Sequence, residues 1–309
     1  MDRRAFLGAG AKGAGVAFTL PWLASIQEAF GAGLHFKYAI CNEVFEKWDF
    51  AVMCRAIRAA GYSGVEISPF TLAENVDEIS SARRRELSNI MRSEGLTFAG
   101  MHWLLVSPKG LHVTTSDKSV REKSWAYFQK LIDFCADLGD HGVMVFGSPK
   151  QRGSQGNKPA EAKEHLKNGL ASVAPHAADR GVTILMEALP KKDTDVVNTL
   201  AESMEIVNAI KHPAIQTIFD FHNTVDEQEP MDVLVRRYFA YIRHVHVNEM
   251  DGRYPGTGNL NFLPVFKVLA SLKYSGWISL EVFDSKPSPT QVAREAMNYL
   301  RNLDARVKA

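Results

Sequence analysis

The stretch Gly181-Val182-Thr183-Ile184-Leu185-Met186-Glu187 opens on a glycine, runs through β-branched and apolar residues, and ends on a carboxylate. Three later stretches are also short strand-like runs that end on a polar group, a carboxylate in two and an imidazole in one: Thr217-Ile218-Phe219-Asp220, His244-Val245-His246 and Ile278-Ser279-Leu280-Glu281. Short apolar runs of this kind are strands buried on both faces, as in parallel sheets. Extending the reading in both directions predicts strands at 35–42, 64–68, 96–103, 142–147, 181–187, 215–220, 241–247 and 276–282. Amphipathic segments fall between them near 48–60, 80–94, 118–138, 160–180, 199–211, 229–240, 262–273 and 289–306. Gly61, Gly95, Gly142, Gly181 and Gly276 stand between a helix and the next strand, where a helix stop is needed. Eight strand–helix units without a long linker predict an α/β fold, a single-domain (β/α)8 TIM barrel. A doubly wound sheet would want Gly-x-Gly-x-x-Gly after its first strand, but Cys41-Asn42-Glu43-Val44-Phe45 follows instead.

The first residues do not belong to that pattern. Asp2-Arg3-Arg4-Ala5-Phe6-Leu7 precedes a Gly/Ala-rich apolar run broken by Lys12 and Pro21. Paired arginines before Phe-Leu look like a twin-arginine (Tat) export signal, and the run is too interrupted to span a bilayer. The expected division is a signal peptide at 1–32 and the barrel at 33–309, with export through the Tat translocase to the periplasm or beyond. Of 309 residues, 36 are Lys or Arg and 35 Asp or Glu, a net charge of +1. That excess lies in the signal, where Arg3, Arg4 and Lys12 face Asp2 and Glu28. The barrel is neutral, which argues for a small uncharged ligand and against nucleic acid. Three cysteines cannot all pair, and Cys54 and Cys135 read as buried free thiols.

In a barrel, the C-terminal ends of the strands form the catalytic face. Glu187, Asp220, His246 and Glu281 end four consecutive strands and therefore converge at one mouth. One buried carboxylate is commonly structural, but four such groups together are costly unless paired or metal-bound. Three oxygens and one nitrogen form a hard donor set, suited to Mn2+, Mg2+ or Co2+ more than to structural Zn2+. One divalent ion is expected, Mn2+ first, with Mg2+, Co2+ or Zn2+ as alternatives. Around it, His102 and Trp103 end strand three, and Glu66 ends strand two with substrate contact or a buried role open to it. His222 follows strand six, and His244 lies one layer deeper than His246. Long loops at 105–117 and 147–159 form the rim, the second carrying Lys150 and Arg152.

Three segments resemble the sugar isomerase/epimerase branch of the xylose-isomerase-like barrels. Glu187-Ala-Leu-Pro-Lys-Lys-Asp193-Thr-Asp-Val-Val-Asn198-Thr199 is similar to the family's Glu-x-Leu-Asn-Arg-x-Glu-Thr-x-x-x-Asn-Thr. Tyr274-Ser-Gly276-Trp-Ile-Ser-Leu-Glu281 is similar to its closing strand, and His244-Val-His246-Val-Asn-Glu249 with Arg253 and Pro255-Gly256-x-Gly258 to its strand seven. The resemblance implies that Glu187, Asp220, His246 and Glu281 are metal ligands and that Glu187 and Glu281 form the acid/base pair. It assigns substrate contacts to His102, Trp103, Asp193, His222, Arg253 and Glu66. The chain departs from the family at Pro190-Lys191, at Asp193 in place of a glutamate, at the spacing of His222 from Asp220, and at Arg253, one residue nearer the Pro-Gly. Substrate contacts are where it is expected to differ.

The chemistry implied is proton abstraction beside a carbonyl, through an enediolate that the cation stabilises. Return of the proton to the opposite face epimerises, and return to the neighbouring carbon isomerises. With a leaving group in the β position, the same intermediate eliminates. A metal-dependent sugar isomerase/epimerase is the first expectation. A periplasmic lyase on 3-keto-glycosides is the alternative, and a non-catalytic sugar-binding barrel the third. A small-molecule sugar or oxidised glycoside is the expected partner, with homo-oligomerisation left open. An apurinic endonuclease on the same barrel would need further ligands, whereas strand four offers only Phe146-Gly147-Ser148.

Overall fold

The computed structural model describes residues 35–284 and 286–308. The expected signal at 1–32 lies outside the described residues. Eight parallel strands close in sequence order into a barrel. They are β1 (Lys37–Cys41), β2 (Gly64–Ile67), β3 (Thr97–Met101), β4 (Val143–Phe146), β5 (Thr183–Met186), β6 (Ile215–Asp220), β7 (Ile242–Val247) and β8 (Trp277–Leu280). Eight α-helices alternate with them: α1 (Phe50–Ala60), α2 (Ser81–Ser93), α3 (Lys118–Leu138), α4 (Pro159–Asp179), α5 (Leu200–Ile210), α6 (Met231–Tyr238), α7 (Leu263–Ser271) and α8 (Pro289–Lys308). All eight strands and helices lie at their expected places, with β6 at its expected bounds and the other seven strands shorter by one to three residues in total.

Local chemistry explains the element boundaries. Side chains of Asp49, Ser80, Asp117 and Thr199 accept hydrogen bonds from the free N–H groups that open α1, α2, α3 and α5. Gly61 ends α1 at φ +105°, a left-handed geometry that a side chain would strain. The barrel is tied shut at its seam. Asp304 on α8 accepts from the backbone N–H of His35 (2.7 Å) and from the Tyr38 hydroxyl (3.0 Å), so the last helix holds the first strand. Cys41, Cys54 and Cys135 are buried and unpaired, in line with the sequence. No helix among the described residues is long and apolar enough to cross a membrane.

Register places the site. Asp220 pairs with His246 across β6 and β7, and His246 with Ser279 across β7 and β8. Alternate residues share a face, so Leu185, Ile218 and His244 lie beneath Glu187, Asp220 and His246. Val145, Leu185 and Ile218 pack together as an apolar plug. On the other side of the interior the same role falls to polar residues, namely Cys41, Glu66, His244 and Ser279. The Cys41 thiol lies 3.7 Å from Glu66 Oε2 and 3.6 Å from the Ser279 hydroxyl.

Candidate metal centre and its cavity

His246 stands between two groups of acids. Its Nδ1 lies 3.2 Å from Glu281 Oε2, 3.5 Å from Asp220 Oδ2 and 3.9 Å from Glu187 Oε1. Its Nε2 lies 3.1 Å from Glu66 Oε1, on the opposite side of the ring. Glu66 has no exposed surface, and it also meets His244 Nε2 at 2.8 Å and His102 Nδ1 at 3.5 Å. Burial alone would raise the Glu66 pKa. The adjoining His246, His244 and His102 outweigh it and hold the carboxyl well below the usual range. An ionised Glu66 only accepts hydrogen bonds, so the neighbouring Nε2 atoms of His244 and His246 carry protons. In neutral His246 the Nδ1 lone pair is then left facing the three carboxylates.

Those carboxylates are poorly compensated. Burial, then Asp220 and Glu281, push the Glu187 pKa well above its ordinary value, and burial raises Glu281 in the same direction. His246 is drawn toward its charged form, because Glu66 and Glu281 outweigh the cost of burying it. Nδ1 of His246 and Oδ2 of Asp220 are both buried and neither makes a hydrogen bond. Orphaned polar atoms facing one another suit a cation as their common partner. Glu187, Asp220 and His246 bring ligand atoms within 4.8 Å of one another. With Glu281 they form the donor set expected from the sequence, and it fits a hard divalent ion.

The candidate ligands are held from the side by the loops. Asp220 Oδ1 accepts from the His222 backbone N–H at 2.7 Å, and Asn223 Nδ2 donates to Glu187 Oε1 at 3.1 Å. Gly147 leaves room for the carboxylate, since a Cβ there would stand 2.2 Å from Glu187 Oε2. Arg152, on the second rim loop, is a buried staple. It donates to the carbonyls of Gly147 (2.7 Å), Glu187 (2.7 Å) and Val196 (3.2 Å), locking the loops after β4 and β5 together. Burial lowers its pKa to about 10, with Glu187 opposing, so it stays cationic near neutral pH. The two long rim loops are stitched to each other, Val113 N–H to Gln151 O at 2.8 Å and Thr114 Oγ1 to Gly153 O at 2.6 Å. They form a wall, with Lys150 exposed outside it.

A cavity of about 330 Å3 opens above Glu187 and Glu281. His102, Trp103, Asp193 and His222 line it, as the sequence led us to expect. Two of the proposed substrate contacts do not. Glu66 lies beneath His246 rather than on the cavity wall, because the strand stagger puts its side chain in the layer of His244. Arg253 is turned aside onto Asp251, with Nη2 to Oδ2 at 2.7 Å, and it is Asp251 that reaches the cavity. His102 contacts Glu43 Oε1 through Nε2 at 2.8 Å, with the Ser68 hydroxyl donating to the other oxygen of Glu43. Lys192, Asn223 and Phe283 also line the cavity and were not singled out from the sequence. The Phe283 ring stands edge-on to Trp103 (6.3 Å) and to His222 (5.3 Å), making an aromatic rim.

Comparison with known proteins agrees with the barrel fold. The chain is 22% identical to the Escherichia coli 3-dehydro-D-guloside 4-epimerase over 284 residues, 86% of this chain and 99% of the relative. It is 24% identical to a probable ketose 3-epimerase of Synechocystis over 213 residues, covering 63% and 73%. Among solved structures, an L-ribulose 3-epimerase superposes with a TM-score of 0.76 at 19% identity, over 88% of this chain and 96% of that one. The E. coli 3-keto-D-glucoside 4-epimerase gives 0.73 at 18%, over 86% and 99%. At such identities these superpositions speak for the fold. A family model described as the xylose isomerase-like TIM barrel matches residues 54–303, nearly the whole barrel, and the chain belongs to that family.

Proposed function

We propose that this protein is a divalent-metal-dependent sugar epimerase or isomerase that moves a proton beside a carbonyl. One observation carries the reading: three buried carboxylates surround the unpaired Nδ1 of His246 at the floor of a sugar-sized cavity. The sugar-epimerase relatives support the substrate class. An ion held by Glu187, Asp220, His246 and Glu281 would polarise a bound carbonyl and acidify the adjoining C–H.

The chain's own groups do the rest. Glu187, just past the end of β5, brings a carboxylate to the cavity and serves as the base. Asn223 fixes one of its oxygens and leaves the other over Gly147, on the cavity wall. Glu281 reaches the cavity from β8, with β6 and β7 between the two acids, so protons are exchanged from two directions. Removal by one carboxylate and return by the other inverts the centre. Asp193, Lys192 and Asp251 supply acceptors and a donor for hydroxyl groups, and Trp103 and Phe283 supply apolar faces for a ring.

The test is metal analysis of the purified protein with solvent-deuterium exchange into free ketoses and 3-keto-glycosides, followed by NMR. One equivalent of divalent ion and metal-dependent exchange at the carbon beside the carbonyl are expected. Release of the aglycone would reassign the site as a lyase. Sugar binding with neither metal nor exchange would leave a binding protein.

A further inference from the structure

A second hollow of about 340 Å3 adjoins the first, and the two share Trp103 and Phe283 as a common wall. Each hollow alone is near the bottom of the roughly 300–1,000 Å3 range of ligand sites, and together they fit a two-part ligand. Glu43 lines the second hollow while bonding His102, which lines the first, so the two are joined through a hydrogen bond as well.

The shared wall is built with care. Trp103 holds a positive φ of +51°, unusual for a bulky residue, which turns its ring into the space between the hollows. Phe283 lies against the bare backbone of Gly252, where a Cβ would meet its ring at 2.6 Å. It nonetheless remains 47% exposed, an apolar surface at the mouth of a polar site. Beyond this wall, Phe70 and Val44 add apolar surface, and Glu43, Glu46 and Asp284 add acceptors. No lysine or arginine lines the second hollow among the described residues, so it has nothing to offer an anion. Flat aromatic faces combined with carboxylate acceptors suit the C–H faces and hydroxyls of a pyranose.

We infer that the second hollow is a subsite for a second, uncharged sugar ring joined to the one that reacts. This rests on the sugar reading above and narrows it: the preferred substrate is an oxidised two-ring glycoside rather than a free ketose.

The experiment compares dissociation constants, by calorimetry on metal-loaded full-length protein, for methyl 3-keto-glucoside, 3-keto-cellobiose and phenyl 3-keto-glucoside. The two-ring sugar should bind about tenfold more tightly than the methyl glycoside, in keeping with one well-stacked ring. Val44→Trp, which fills the second hollow from its rim, should abolish that advantage and leave the methyl glycoside within about twofold. Phe70→Ala, a truncation that adds no bulk, should weaken the two-ring sugar alone. Equal affinity for one and two rings in the unaltered protein overturns the subsite. An advantage for the phenyl glycoside alone overturns its assignment to sugar. If no ligand binds and no deuterium exchanges, the sugar reading fails and the subsite with it. If the methyl glycoside exchanges and the second ring adds nothing, only the subsite fails.

Discussion

One layer of the barrel interior is built in two ways. Under Glu187 and Asp220 it is an apolar plug, Val145, Leu185 and Ile218. Under His246 it is polar, with Glu66 bonded to His244 and His246 and touched by Cys41. Each half suits the ligand above it. A carboxylate needs only its oxygens placed, and Asn223 and the backbone after β6 do this from the side. An imidazole must also have the right nitrogen free, and only an acceptor on its far side sets that. The polar half therefore bears on which nitrogen of His246 is free, and the apolar half on packing.

The largest effect should come from the group above the apolar half. Glu187→Gln keeps the shape and the Asn223 contact but removes the base. Exchange of the substrate proton with solvent should fall by about 10²–10⁴-fold, read by deuterium wash-in. Retention of full exchange would take Glu187 out of the chemistry and leave another group as the base.

Leu185→Ala breaks the apolar half. A buried leucine truncated in a packed interior costs about 2–5 kcal/mol, seen as a lower midpoint in denaturant. Metal affinity of the folded fraction should hardly change, since no ligand touches Leu185 through a polar atom. A large loss of affinity would show that the two halves are coupled.

Glu66→Gln breaks the polar half. The amide must turn an N–H toward an imidazole that already donates, and the relief is for that histidine to move its proton to Nδ1. On His246 this would cap the atom that faces Glu281, Asp220 and Glu187. Metal affinity should fall roughly 10–100-fold, measured by competition with a chelator. An unchanged affinity would mean that His246 is oriented by packing alone.

The same contrast explains what could be read in advance. The barrel followed from eight apolar runs and their spacing, because burial on both faces leaves few alternatives. Glu187, Asp220, His246 and Glu281 were legible because a polar residue closing such a run has to be accounted for. Glu66 closes a run in the same manner, yet its depth depends on strand stagger, which no single strand encodes. Asn223 sits in the short turn after β6 and Phe283 just beyond β8, where the chain's path decides whether a side chain reaches the cavity. Arg152 reads from the sequence only as a cation on a rim loop, and its structural use emerges with the carbonyls of Gly147, Glu187 and Val196 around it.

Arg253 marks the opposite limit, a residue whose sequence neighbourhood promised more than its position delivers. It stands two residues before Pro255, and at that spacing its guanidinium folds back on Asp251, both Nε (2.8 Å) and Nη2 (2.7 Å) engaging Oδ2. The pair is solvent-exposed, and pairs of this kind contribute little. What Arg253 does supply is a cation that offsets the charge of Asp251, the member of the pair that lines the cavity. Arg253→Ala should therefore leave kcat unchanged and shift KM by less than about fivefold. Asp251→Asn, which alters the lining itself, should shift KM further. If Arg253→Ala instead raised KM far more than Asp251→Asn, the guanidinium would have to swing off Asp251 when substrate arrives, and Arg253 itself would be part of the binding site.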